Sequence, residues 1–112
     1  MSDKPSFLAR YGNAKQIHQV LDDSDQSDVV QASVFQNPHI DRTHIDKVVH
    51  HKPAMFGSYT IRSALEHPLT TEADARHVVR THVKEPWGSF NLQCYMKARH
   101  RLQDMGLEPD EA

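Results

Sequence analysis

Nine histidines and a single cysteine are the side chains of this 112-residue sequence best suited to chemistry. Imidazole ligates metals and moves protons near neutral pH. His44, His50 and His51 fall on or at the end of one predicted helix, and His77 and His82 on the next. A zinc enzyme needs two ligands on one helical face, as in His-Glu-x-x-His, and a third from elsewhere. His77 and His82 stand five apart, so their side chains diverge, and no Glu lies between them. Neither a metal nor another cofactor is expected. His51 and His82 recur near helix C-termini, where the macrodipole favours a protonated imidazole. A pH-responsive contact stays open beside a purely structural role.

The lone Cys94 excludes an internal disulfide and a cysteine-based zinc site. It stands between Leu92 and Met96 in a predicted helix. That setting predicts a buried, inert thiol, since a reactive one needs an exposed, electropositive environment. Ser27, Ser58 and Ser89 read as helix caps rather than nucleophiles. No Gly-x-Ser-x-Gly turn or phosphate-cradling loop occurs, and four glycines leave little room for one. With no catalytic constellation, a non-enzymatic protein is expected.

The elements that position these residues recur along the chain. Phe56-Gly57-Ser58-Tyr59-Thr60-Ile61 and Trp87-Gly88-Ser89-Phe90-Asn91-Leu92 share a pattern at an offset of 31, and Ser27, Val30 and Val34 repeat it more faintly. Phe56 and Trp87 read as wedges between units. A second element alternates with the first. Ile17, Val20 and Leu21, then Ile45, Val48 and Val49, then Ala75, Val78 and Val79 each form one stripe of an amphipathic helix. Asn13, Asp41 and Thr71 precede the stripes as favoured N-caps, with Gln16 and Asp74 placed for capping boxes. Asn37-Pro38 and His67-Pro68 mark turns, because proline cannot continue the preceding helix.

This pattern predicts an all-α chain with first helices over 14–22, 42–51 and 72–83. Second helices run over 27–36, 58–66 and 89–105, and a short capping helix lies between Pro5 and Tyr11. Gly106 is placed to end the last helix before a polar acidic tail, 106–112. One helix pair cannot bury its stripe alone, whereas three stacked pairs form a continuous core, the logic of a solenoid. The expected architecture is a short right-handed α-solenoid with units over 13–37, 38–67 and 68–105. Its core is expected from the stripe residues, Ala75 apart, with Val30, Val34, Ile61, Leu65, Leu92 and Met96.

Asn37-Pro38-His39-Ile40-Asp41-Arg42-Thr43-His44-Ile45-Asp46-Lys47-Val48-Val49 resembles the unit start of HEAT-like and variant leucine-rich α-repeats of bacteria and phages. Ile61-Arg62-Ser63-Ala64-Leu65-Glu66-His67-Pro68 resembles the helix that closes such a unit. The resemblance covers about residues 13–100 and speaks to architecture rather than activity. One branch of the variant leucine-rich proteins carries an iron–sulfur cluster. That needs several cysteines, so it does not carry over to a chain with Cys94 alone.

Once the expected core is set aside, ladders remain one unit apart: Asp28, Tyr59 and Phe90; Gln31, Arg62 and Gln93; Glu66 and Lys97. Aromatics and Arg dominate interface hot spots. Tyr59, Arg62, Glu66, Phe90, Gln93 and Lys97 are therefore the expected partner-binding residues, and the expected partner is a protein. The alternative is nucleic acid. Residues 42–102 hold ten bases against five acids, including Arg62, Arg76, Arg80, Lys84, Lys97, Arg99 and Arg101, although the whole chain carries a formal charge of −2. No apolar run approaches the ~18–20 residues needed to span a bilayer, so no membrane partner is expected. The opening residues lack a secretory signal pattern. A cytoplasmic protein is expected, in a host cytoplasm or virion if phage-encoded. The oligomeric state is not legible.

Overall fold

The computed structural model describes residues 3–51, 56–82 and 89–108, and these are all-helical. The helices are α1 (Asp3–Tyr11), α2 (Ala14–Asp22), α3 (Asp28–Ala32), α4 (Arg42–Asp46), α5 (Ser58–Glu66), α6 (Glu72–His82) and α7 (Ser89–Asp104). A 3-10 turn, Ser33–Gln36, prolongs α3, and a π turn, Lys47–His51, prolongs α4. The six helical segments predicted from the stripes are all present, and so is the N-terminal helix.

Three helices start by the same device. Asn13 accepts the N–H of Gln16 at 2.9 Å, and Gln16 Oε1 accepts the N–H of Asn13 at 2.9 Å. Before α4, Asp41 accepts the N–H of Thr43 at 2.9 Å, while His44 Nδ1 accepts the N–H of Asp41 at 3.0 Å. Before α6, Thr71 Oγ1 accepts the N–H of Asp74 at 3.4 Å, and Asp74 Oδ2 accepts the N–H of Thr71 at 2.8 Å. An amide, an imidazole and a carboxylate thus occupy one role, because each offers an acceptor one turn into the helix.

The second set of starts differs from expectation at one place. Ser27 caps α3 by accepting the N–H of Val30 at 3.2 Å. Ser58 does not cap α5; the cap position is Gly57, which has no side chain to offer. The acceptor comes instead from Asp28, whose two carboxylate oxygens take the N–H groups of Tyr59 and Thr60, each at 3.0 Å. Ser58 is already helical and buried, and its hydroxyl donates to Gln93 Oε1 at 3.3 Å. The start of α7 and the Ser89 side chain lie at the edge of the described residues, so the expected Ser89 cap falls outside them.

The turns are stapled by side chains. Asn37 Oδ1 accepts the N–H of His39 at 2.8 Å, and its amide donates to the carbonyls of Ala9 and Gly12 at 3.1 and 2.9 Å, tying down the end of α1. His67 Nδ1 plays the first of these parts in its own turn, accepting the N–H of Leu69 at 3.1 Å. Gly106, at φ +77°, ends α7. Gly106 N–H reaches Gln103 O and Leu107 N–H reaches Leu102 O, both at 2.9 Å, the Schellman arrangement.

Ile17, Val20, Leu21, Val34, Ile45, Val48, Val49, Ile61, Leu65, Ala75, Val78 and Val79 are buried in one core, as the stripes require. Val30 packs only partly against it. Met96, expected in the core, is 49% exposed. The inward stripe of α7 is Cys94, Ala98 and Leu102, each fully buried, so Met96 faces outward. Phe56 is buried in the core, whereas Trp87 and the side chains of His51, His82, Phe90 and Leu92 lie outside the described residues.

Candidate functional site: the α5–α7 face

Helix α5 packs along α7, and Arg62, Glu66, Gln93 and Lys97 of the six expected binding residues meet at this junction, with Tyr59 beside it on α5 against Arg62. Tyr59 and Arg62 stand three apart on α5, nearly one helical turn. The Arg62 guanidinium lies over the Tyr59 ring, 5.5 Å from its centroid, and its Nε–H donates to Ser58 O at 3.4 Å. Among the described residues, no carboxylate pairs with Arg62. Tyr59 is 52% exposed. One turn further, Glu66 Oε1 meets Lys97 Nζ of α7 at 2.5 Å. Arg62, Gln93, Met96, Lys97 and His100 line a shallow groove. Phe90, the sixth residue, belongs to α7, but its side chain is outside the described residues.

Two residues of the ladders leave this face. Gln31 is buried, and its amide donates to the carbonyls of Val20, Leu21 and Asp23 at 3.3, 3.4 and 3.2 Å, closing the end of α2. Asp28 is occupied by the α5 cap. Both were placed by counting in units of 31, which matches positions along the chain but not the demands of neighbouring helix ends.

Cys94 is fully buried and free, and burial pushes its thiol up to about 11. The thiolate needed for nucleophilic attack is therefore suppressed. Four of the described histidines lie in two ring-to-ring pairs, His18 with His44 and His50 with His77. His44 is fully buried; Nδ1 accepts from Asp41 and Nε2 sits 3.0 Å from Ala14 O, so the ring carries its hydrogen on Nε2. His18 stacks on it at 4.2 Å between centroids, and burial, then His44, lower the pKa of His18. Burial likewise lowers that of His67. Among the described residues, no group of three His, Cys, Asp or Glu side chains could hold a metal ion.

One polar cluster escaped the sequence reading. Asp74, fully buried, receives Arg42 through both guanidinium nitrogens at 2.5 and 3.2 Å, and His50 Nε2 at 2.6 Å. Thr71 adds its N–H at 2.8 Å and its hydroxyl at 3.1 Å. Burial works to raise the Asp74 pKa, but the bonds from Arg42, Thr71 and His50 prevail and hold it at about 2. His50 comes from the π turn and stacks on His77 at 4.5 Å. The capping box at Thr71 and Asp74 was legible; the Arg42 partner, 32 residues back, left no local signal. The cluster is saturated by its own members and leaves no substrate position on Asp74.

Four of the ten basic side chains of residues 42–102 are seen paired with acids among the described residues. Arg42 holds Asp74, Arg76 holds Glu72 at 2.7 Å, and Lys97 holds Glu66; Lys47 reaches back to Asp22 at 2.8 Å. Among the described residues, no helix is long and apolar enough to cross a membrane. Compared with family models, curated proteins and solved structures, the chain matches none.

Proposed function

We propose that the chain is a non-enzymatic protein-interaction module of the HEAT-like type, with the α5–α7 face as its docking surface. In this reading the helices stack as a short right-handed α-solenoid, with units over 13–37, 38–67 and 68–105. Support for the stacking comes from a recurring link between unit starts. The third helical residue of α4, His44, grips the carbonyl of Ala14, the first residue of α2. The third residue of α6, Asp74, grips Arg42, the first residue of α4.

The observation that carries the functional reading is Arg62 held over a half-exposed Tyr59 without a carboxylate partner among the described residues. A guanidinium oriented by an aromatic face and a backbone carbonyl loses little freedom on binding, and Arg and Tyr are leading hot-spot types. The alternative, a nucleic-acid binder, needs an uncompensated basic face. The pairing of Arg42 with the buried Asp74 and of Arg76 with Glu72 weighs against it.

Affinity capture in lysate of the source cell tests the proposal, with wild type, Tyr59→Ala and Arg62→Ala run side by side and both protein and nucleic acid quantified. A discrete protein retained by wild type and lost from both variants is the expected result. Recovery of nucleic acid instead, or a protein retained equally by all three, overturns it.

A further inference from the structure

We infer that the α5–α7 groove takes an extended acidic peptide segment of a partner protein, its carboxylates landing on Arg62 and Lys97 and an apolar side chain on Met96. The inference rests on the docking face proposed above and names what that face recognises.

The groove is lined by Arg62, Gln93, Met96, Lys97 and His100. No acid is among these lining residues; the exposed Glu66 beside them is already held by Lys97, and Asp104 stands one helical turn beyond His100 on α7. The groove is therefore complementary to negative charge. Gln93, Met96, Lys97 and His100 follow the i, i+3, i+4, i+7 spacing of one helical stripe, which extends ~10 Å along α7. An extended chain advances about that distance in three residues. Acidic side chains at two such positions can meet the Arg62–Lys97 end and the His100 end together.

Each lining side chain has a distinct part. Arg62 is fixed from one side by Tyr59 and from below by Ser58 O, which leaves its terminal nitrogens to form the two-pronged bond that a carboxylate accepts. Lys97 exchanges Glu66 for the incoming carboxylate. Glu66 is 61% exposed, so it returns to water when released. Met96, 49% exposed between the charges, is an adaptable apolar contact. A nucleic acid strand also brings anions to the groove, but it lays one charge on every nucleotide and needs a longer basic track than these side chains make.

The probe is a fluorescein-labelled hexapeptide of sequence Glu-Glu-Leu-Glu-Glu-Leu, titrated with the full chain and read by anisotropy. Its Gln-for-Glu counterpart and a single-stranded oligonucleotide of equal charge serve as comparisons. Expected are saturable binding of the acidic peptide only, and a loss of ~10-fold or more in affinity for Arg62→Gln, as for removal of a charge-assisted pair. Raising salt from ~0.1 to ~1 M, which cuts the screening length from ~10 to ~3 Å, should weaken it further. Lys97→Gln, at a solvent-facing position, provides a second reading if Arg62→Gln does not fold. Equal binding of the Gln peptide, preference for the oligonucleotide, or indifference to both substitutions overturns the inference. If a lysate partner is lost with Arg62→Ala while acidic peptides neither bind nor compete, the docking face stands and the acidic recognition falls. If neither occurs, both fall.

Discussion

The carboxylate of Asp28 occupies the space a side chain at Gly57 would need: a Cβ built there lies 2.2 Å from Asp28 Cγ. Gly57 has an ordinary extended backbone, φ −74° and ψ 168°, so the requirement is for room rather than for unusual torsions. The absence of a side chain lets a residue from α3 reach the first N–H groups of α5 and close its N-terminus from 31 positions away.

Gly57→Ala should therefore destabilise the fold by ~1–3 kcal/mol, and Asp28→Ala by ~0.5–2 kcal/mol, the range for loss of an N-cap. Because both act by removing one cap, the double variant should cost clearly less than the sum of the two. Urea unfolding of the four proteins measures this cycle. Strict additivity would show that the contact at Gly57 and the cap are independent.

Much of this architecture was legible because the signals are local. Asn13, Asp41 and Ser27 cap helices whose first turns follow them directly, and the stripes of Ile17, Ile45 and Val78 need only the helical period. Ser58 misled because Gly57 hands the capping role to Asp28, a partner visible only after folding. Met96 misled because the inward face of α7 is built from Cys94 and Ala98, small residues that carry little weight in a search for aliphatic stripes. On the candidate site, spacing brought Arg62, Glu66, Gln93 and Lys97 to one junction, with Tyr59 against Arg62 beside it. It could not tell that Gln31 and Asp28 would be drawn away to close helix ends. The Asp74 cluster was invisible for the same reason: its capping part is local and its Arg42 part is not.

Tyr59→Ala and Leu65→Ala should separate the surface of α5 from its core. Tyr59 is 52% exposed and Leu65 fully buried. Leu65→Ala should cost ~2–5 kcal/mol through the cavity it leaves, whereas Tyr59→Ala should stay within ~1 kcal/mol. Ile61→Ala, 1% exposed, should behave like Leu65→Ala. Thermal or urea melts decide the matter. Equal losses for Tyr59 and Leu65 would mean that Tyr59 holds α5 in place and is not free to serve a partner.

Cys94 should resist thiol reagents as long as the chain is folded. It has no exposed surface, and burial holds its thiol near 11, so the reactive thiolate is scarce at neutral pH. Labelling by a disulfide reagent should be slow in buffer and fast in urea, with a native-state rate that follows stability across the variants above. Rapid labelling of the stable native chain would reveal a local opening of α7 that its full burial does not anticipate.

Asp74 should make the fold acid-sensitive over a defined window. Its folded pKa of about 2 lies below the ordinary carboxylate value of 3.8, so the folded state favours the ionised form. Folding is favoured by this group when it is ionised in both states, above pH ~4, and that advantage fades as pH falls through the folded value. The contribution is about 2 kcal/mol, lost between pH ~5 and ~2. Asp74→Asn keeps the shape but removes the charge that Arg42 and His50 face, and should cost ~2–4 kcal/mol at neutral pH. Arg42→Gln should cost less, since its side chain is 44% exposed and the two remaining partners still hold Asp74. Urea unfolding at pH 5 and pH 2.5 separates the effects: other carboxylates titrate in every variant, but the gap between wild type and Asp74→Asn should narrow in acid. A gap that stays constant across that range would mean that the Asp74 carboxylate is not preferentially ionised in the folded state, and that Arg42 and His50 contribute packing without charge stabilisation.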